Sequence, residues 1–170
     1  MYLRPATLPD AAKLAPLAEY TFRHTYEAYN TPQDMELECA RNFSLQALQA
    51  QLQNEAYSFW LVFASGHLIA YAKYTWQASF THIPGHQQAL EVSRIYVHPA
   101  HKGKGAGQLL LRHSHLLARY AGKTAIMLGV WQQNQAAIHF YQKMGMQQVG
   151  ITTYVLGTDE QTDWVMMKQI

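Results

Sequence analysis

Glu91-Val92-Ser93-Arg94-Ile95-Tyr96-Val97-His98-Pro99-Ala100-His101-Lys102-Gly103-Lys104-Gly105-Ala106-Gly107-Gln108-Leu109-Leu110-Leu111 reads as a strand, a glycine-rich turn and the opening of an amphipathic helix. The strand stops at His98-Pro99, because proline cannot continue a ladder. Gly103, Gly105 and Gly107 recur at spacing two, which lets the backbone approach a ligand and aim several N–H groups one way. The helix start adds its unpaired N–H groups and the positive end of its dipole. With Lys102 and Lys104 beside it, this is an anion site suited to a pyrophosphate. Two familiar phosphate loops are excluded by spacing. A P-loop needs Lys-Ser/Thr after its last glycine, but Gln108 follows Gly107. A dinucleotide fingerprint needs a glycine at relative position six, which is Gln108 counted from Gly103 and Leu110 counted from Gly105.

Working outward, the N-terminal third is helical and the rest is strand-rich. Met1–Pro5 alternates like a short strand. Leu8-Pro9-Asp10 opens a helix with Leu14, Leu17 and Ala18 on one face. Thr31-Pro32 and Ser44 each read as an N-cap, the second helix carrying Leu45, Leu48 and Leu52. Phe59–Ala64 and Leu68–Trp76 form a hairpin across Ser65-Gly66-His67. Thr81–Gln87 is a loop and Ala89–Val97 the strand quoted above. The helix Gly105–Tyr120 carries Leu109, Leu110, Leu116 and Leu117 as its apolar residues. Thr124–Val130 is an apolar run of the kind buried on both faces. Asn134–Met144 is a helix ended by Gly145, and Gln147–Tyr154 and Trp164–Lys168 are the last strands. The tally is an α/β (α+β) layered domain, a mixed sheet of about six or seven strands with helices on its faces. No linker or internal repeat divides the 170 residues, so one domain, 1–170, is expected.

Two segments together resemble a known family. Ile95–Pro99 followed by Lys102–Gly107 is similar to motif A of the GNAT superfamily of N-acetyltransferases, Gln/Arg-x-x-Gly-x-Gly/Ala, with Lys102 in the Gln/Arg place and Gly105 and Gly107 as the signature small residues. Asn134-Gln135-Ala136-Ala137-Ile138-His139-Phe140-Tyr141-Gln142-Lys143-Met144-Gly145-Met146 resembles the superfamily's Asn-x-x-Ala-x-x-Phe-Tyr-x-Lys-x-Gly segment. The resemblance implies a mostly antiparallel sheet of about six or seven strands, splayed where acyl-CoA enters. It implies acetyl-CoA as co-substrate, its pyrophosphate on the N–H groups of Lys102, Gly103, Lys104, Gly105, Ala106, Gly107 and Gln108. The main chain of Ile95, Tyr96 and Val97 would hold the acetyl carbonyl and pantetheine arm. Asn134 and Ala137 would meet the pantetheine or order their helix, and Lys143 would stand near the phosphates.

Acetyl transfer needs a neutral amine, donors for the tetrahedral oxyanion and a proton for the leaving thiolate. By resemblance Tyr141 is that proton donor. Glu91 is the candidate base, directly or through water, because the superfamily often places a carboxylate on this strand. Homodimers are common in the superfamily, so one is expected here. Thr21-Phe22-Arg23-His24-Thr25-Tyr26, Asn30–Asp34 and Arg94–Val97 are similar to bacterial polyamine acetyltransferases of the PaiA type. Glu27, Asp34, Glu36 and Glu38 beside aromatic residues would suit a polycation such as spermidine or spermine. A peptide or amino-acid acceptor, and a CoA-binding domain without turnover, are the alternatives.

Composition narrows the partners. A net charge of +2 argues against a nucleic-acid module built on His101–Lys104. Cys39 is the single cysteine, which excludes an internal disulfide or a CxxC site and favours packing over nucleophilic use. Nine histidines lack metal-ligand spacing: His113 and His115 face different sides of a helix, and Pro84-Gly85 interrupts His82 and His86. No apolar run reaches the ~18–20 residues of a membrane span, and the N-terminus has no signal-peptide pattern. The expected setting is the cytoplasm, without nucleic acid, membrane or metal.

Overall fold

The computed structural model describes residues 1–170. Strand β1 (Tyr2–Pro5) leads into helices α1 (Ala11–Tyr26), α2 (Pro32–Asn42) and α3 (Leu45–Gln53). The hairpin β2 (Tyr57–Ala64) and β3 (His67–Thr75) follows, then β4 (Ala89–Val97), α4 (Ala106–Tyr120), β5 (Ala125–Trp131), α5 (Gln135–Lys143) and the hairpin β6 (Gln147–Leu156) and β7 (Asp159–Gln169). The strands form one sheet in the order β1-β2-β3-β4-β5-β7-β6. Every neighbouring pair is antiparallel except β4 and β5.

Local chemistry sets the helix starts. Thr31 Oγ1 accepts from Asp34 N at 3.1 Å and Ser44 Oγ from Ala47 N at 3.2 Å, each satisfying an orphan helix donor. Asp10 closes a capping box with Thr7 and is held by both terminal nitrogens of Arg4 at 2.6 and 2.7 Å, which keeps its carboxyl well below the usual range. Leu14, Leu17, Ala18 and Leu48 pack with Phe43, Phe59 and Tyr71 on one face of the sheet. On the other face α4 buries Leu110 and Leu111 against Val92, Ile126 and Leu128, and the Tyr74 hydroxyl donates to Leu110 O at 2.7 Å.

Two expectations need correction. Leu116, read as part of the apolar face of α4, is 64% exposed; Ser114 and Ala118 take the buried positions. The last hairpin is longer than its apolar pattern. β6 runs to Leu156 and β7 begins at Asp159, because Gly157 (φ +62°) makes a tight turn and Asp34 Oδ1 accepts from Thr158 N at 2.6 Å. Polar residues such as Thr162 and Asp163 hide the period of β7 where it passes a cavity.

Two features of β4 create that cavity. First, the parallel ladder with β5 lasts only three pairs, from Ala89↔Ala125 to Glu91↔Met127, and then stops. The β5-facing backbone groups beyond Glu91 have no partner strand. Second, β4 carries a bulge. Lys73 pairs with Arg94 and Tyr74 with Val92, so Ser93 is the extra residue. A bulge reverses the alternation of side chains. Leu90, Val92, Ile95 and Val97 therefore all face α4, while Glu91, Ser93, Arg94 and Tyr96 face the α1–α3 side.

Candidate active site

A cavity of about 1100 Å³ passes through the sheet where β4 and β5 part. It reaches from the glycine loop and α5 on one face to Lys73, Arg94 and Asp163 on the other.

The glycine loop forms the first end. Gly103 and Gly105 are left-handed, at φ +75° and +89°, and a short turn at Pro99–His101 leads into them. The first helical bond of α4 runs from Leu109 N to Gly105 O. Upstream of it, the six consecutive N–H groups from Gly103 to Gln108 have no acceptor in the protein. Such a row, at a helix N-terminus, fits a pyrophosphate. Gly107 matters for clearance, since a Cβ there would meet Phe140 at 3.6 Å and Val97 at 3.7 Å. Lys102 is exposed and lines the cavity. Lys104 departs from expectation: its ammonium donates to Ala100 O at 2.9 Å and its side chain is not part of the lining. Only its backbone belongs to the row.

The second sequence segment lands beside the first. Asn134, Ala137, Tyr141 and Lys143 all line the same cavity, as do Ile95, Tyr96 and Val97. Asn134 is the N-cap of α5, its side chain accepting from Ala137 N at 3.2 Å, so it orders the helix that carries Tyr141. Burial raises the Tyr141 phenol well above its usual range, with a smaller contribution from Tyr26, and keeps it protonated near neutral pH. Tyr26, at the end of α1, is pushed up to about 12, chiefly by burial.

On the far face the carboxylates differ. Glu91 is fully engaged: Oε2 accepts from Ser79 N and Ser79 Oγ at 2.8 Å, and Oε1 from Ser93 Oγ at 3.0 Å. It ties the β3–β4 loop to the bulge. Asp163, by contrast, has no hydrogen-bond partner in the protein. It lies over Gly129 of β5, whose missing side chain leaves it space: a Cβ there would stand 3.4 Å from Asp163 Oδ2. Burial raises its carboxyl from 3.8 to about 6. Asp163, Lys73 and Arg94 are the site residues that sequence reasoning did not assign. In the sequence Asp163 stands just before the last expected strand with Asp159 and Glu160 close by, so nothing singles it out, and a cross-strand pair of like charges becomes visible only with the register in hand.

The four acidic residues expected to face a polycation have other duties. Asp34 accepts from Thr31 and Thr158. Glu36 pairs with Arg23 at 2.6 Å and Glu27 with the same guanidinium at 3.8 Å. Only Glu38 lines the cavity, and it already accepts from Asn42 and Tyr154. Cys39 is buried outside the cavity, its thiol pushed up to about 11, in keeping with a packing role. His82 and His86 turn to different carbonyls, Ile151 O and Ile83 O.

Comparison with known proteins agrees with this geometry. The profile of the Acetyltransferase (GNAT) family matches residues 20–146. An uncharacterized N-acetyltransferase in the pepI 3' region of Lactobacillus delbrueckii subsp. lactis is 25% identical over 161 residues, 95% of this chain and 92% of that protein. The L-amino acid N-acyltransferase MnaT of Escherichia coli is 35% identical over 113 residues, 58% of this chain and 63% of that protein. Among solved structures, the PaiA N-acetyltransferase of Thermoplasma acidophilum in complex with coenzyme A shares the fold, with a TM-score of 0.78 at 22% identity over 99% of this chain and 98% of that one. yncA of Salmonella typhimurium, solved with its cofactor acetyl-CoA, superposes with a TM-score of 0.67 at 26% identity over 99% and 93%. The chain belongs to the GNAT family of acetyltransferases, with acetyl-CoA as its co-substrate.

Proposed function

We propose that this protein moves the acetyl group of acetyl-CoA to a small primary amine by direct attack, with Asp163 as the base and Tyr141 as the acid. The observation that carries the proposal is the passage through the sheet at the β4–β5 opening: the N–H row and Tyr141 lie toward one end, Asp163 toward the other. Acetyl-CoA, held along Gly103–Gln108, supplies an activated thioester. The chain then has to take a proton from the amine and give one to the departing thiolate. A carboxyl near 6 is ionised at neutral pH yet basic enough to accept a proton, and an unpaired one is free to do so. The raised phenol of Tyr141 is protonated, as an acid must be. Glu91, the base expected from the sequence, is occupied by three donors, so we assign it the holding of the loop beside the bulge.

The relative named for N-acyl transfer to L-amino acids supports a small acceptor. A polyamine acceptor keeps support only from Glu38, Glu91 and Asp163 on the cavity wall. We further propose a homodimer, supported by β6 at the sheet edge with Val149, Ile151 and Val155 exposed, and a cytoplasmic setting, supported by a single free cysteine. Release of free thiol from acetyl-CoA over a panel of primary amines tests the reaction. Tyr141→Phe should lower kcat by about 10²-fold or more while acetyl-CoA still binds; an unchanged kcat removes Tyr141 from the chemistry.

A further inference from the structure

Lys73 and Arg94 face each other directly across β3 and β4, on the acceptor side of the sheet, and both line the cavity. Neither forms an ion pair; the protein's salt bridges belong to Arg4 and Arg23. They share a neutral acceptor instead. Gln51 Oε1 takes a hydrogen bond from Lys73 Nζ at 3.1 Å and another from Arg94 Nη1 at 3.1 Å. Asn42 fixes the rest of the guanidinium, its Oδ1 3.0 Å from Nη2 and its carbonyl 3.5 Å from Nη1, and the Phe43 ring lies 4.6 Å from the guanidinium carbon. Lys73 Nζ stands 3.6 Å from the centre of the Tyr57 ring.

Of the five N–H donors of Arg94, the Nε–H and one Nη2–H have no acceptor in the protein. The fork is therefore rigidly held but not filled. Like charges placed opposite each other in a sheet are destabilising, and burying a cation without a counter-charge is more so. Lys73 is only 9% exposed, and burial, then Arg94, lower its ammonium to about 8 against a smaller opposing effect of Glu91. A wall that needed only bulk at these positions would be apolar. Two cations, braced by amides and aromatic rings and in direct contact with no carboxylate of the protein, are matched to a carboxylate brought by a ligand. None of the three carboxylates on the cavity wall forms an ion pair with either cation: Glu38 accepts from Asn42 and Tyr154, Glu91 from Ser79 and Ser93, and Asp163 lies over Gly129 with no hydrogen-bond partner.

We infer that Arg94 and Lys73 form a carboxylate subsite for the acceptor, so that the substrate is a primary amine that also carries a carboxylate, an amino acid or short ω-amino acid, and not a polycation. The inference rests on the acetyl-transfer reading above. The cation pair would bind the acid group and leave the amine to reach the β4–β5 opening.

Matched acceptors test it on the intact protein with acetyl-CoA: amino acids with the amine at the α, β or γ position, their carboxamides, their decarboxylated amines, and spermidine. In at least one series the free acid should exceed its amide in kcat/KM by about 10-fold or more, and that acid-to-amide ratio should fall roughly 10- to 100-fold in Arg94→Gln and in Lys73→Met, the span of one or two charge-assisted hydrogen bonds. Arg94→Lys should keep part of the ratio, and acetyl-CoA binding by calorimetry confirms that each variant is folded. Amides, decarboxylated amines or spermidine turning over as well as the acids would overturn the subsite. If no amine releases thiol, the acetyl-transfer reading fails separately. The subsite is then judged by titrating N-acetyl amino acids and their amides into the CoA-loaded protein. Carboxylate-dependent binding that Arg94→Gln abolishes supports it, and equal binding refutes it.

Discussion

Replacing Asp163 by asparagine should make the protein more stable at neutral pH and much less active. The carboxyl is raised from 3.8 to about 6, and burial is the cause. Below pH 3.8 it is protonated in both the folded and the unfolded chain and contributes no difference. Between 3.8 and about 6 the unfolded chain ionises while the fold resists, so stability falls as pH rises. Above about 6 both forms are ionised and the full penalty is present. The gap of about two pH units between the two states corresponds to about 3 kcal/mol at 1.36 kcal/mol per unit, an upper bound because the carboxylate keeps some access to water. For a chain of this size that is roughly 6–12 °C in Tm. Asparagine has no such titration, and whatever its amide costs is the same at every pH. The observable is therefore the difference between two Tm–pH curves. Scanning calorimetry from pH 4 to 7.5 should show the variant gaining on the parent until about pH 6–7 and then running level with it. Activity should move the other way: kcat/KM of the parent should rise through about pH 6, and the variant should lose about 10²- to 10⁴-fold together with that limb. Parallel Tm curves would refute the burial argument. A variant that keeps both its rate and the limb near pH 6 would refute Asp163 as the base.

Three further outcomes follow from other parts of the molecule. Gly105→Ala places a side chain at φ +89°, where an L-residue costs about 1–2 kcal/mol, so the N–H row should distort and KM for acetyl-CoA should rise about 10-fold; an unchanged KM would detach the row from cofactor binding. Asn134→Ala removes the N-cap of α5 and should lower stability by about 1 kcal/mol in urea denaturation, while Asn134→Asp should retain most of it; equal losses would mean the cap bond with Ala137 is not the cause. Tyr71→Phe deletes a buried hydroxyl that has no hydrogen-bond partner, so it should leave stability unchanged or raise it by about 1 kcal/mol; a loss beyond that would show a bond that the structure does not contain.

The sequence by itself determined the parts that depend on near neighbours. Helix caps, the hairpin turn at Gly66, the end of β4 at His98-Pro99 and the anion-binding loop all follow from residues within a few positions of one another. They were legible because caps, turns and glycine conformations are local. The pairing of the glycine loop with Asn134–Gly145 was legible by resemblance, and it delivered the donor end of the cavity. The acceptor end was not legible. The bulge at Ser93 shows only against β3, and it alone puts Arg94 on the same face as Glu91. Asp163 is distinguished from Glu91 by what surrounds each: three donors around one, and Gly129 and burial around the other. Likewise, Asp34 and Glu36 looked like substrate contacts until the fold brought Thr158 and Arg23 to them. Hydrogen-bond occupancy, burial and cross-strand register are properties of residues far apart in the chain, so only the tertiary structure could decide which charges are spent on the fold and which are left for a substrate.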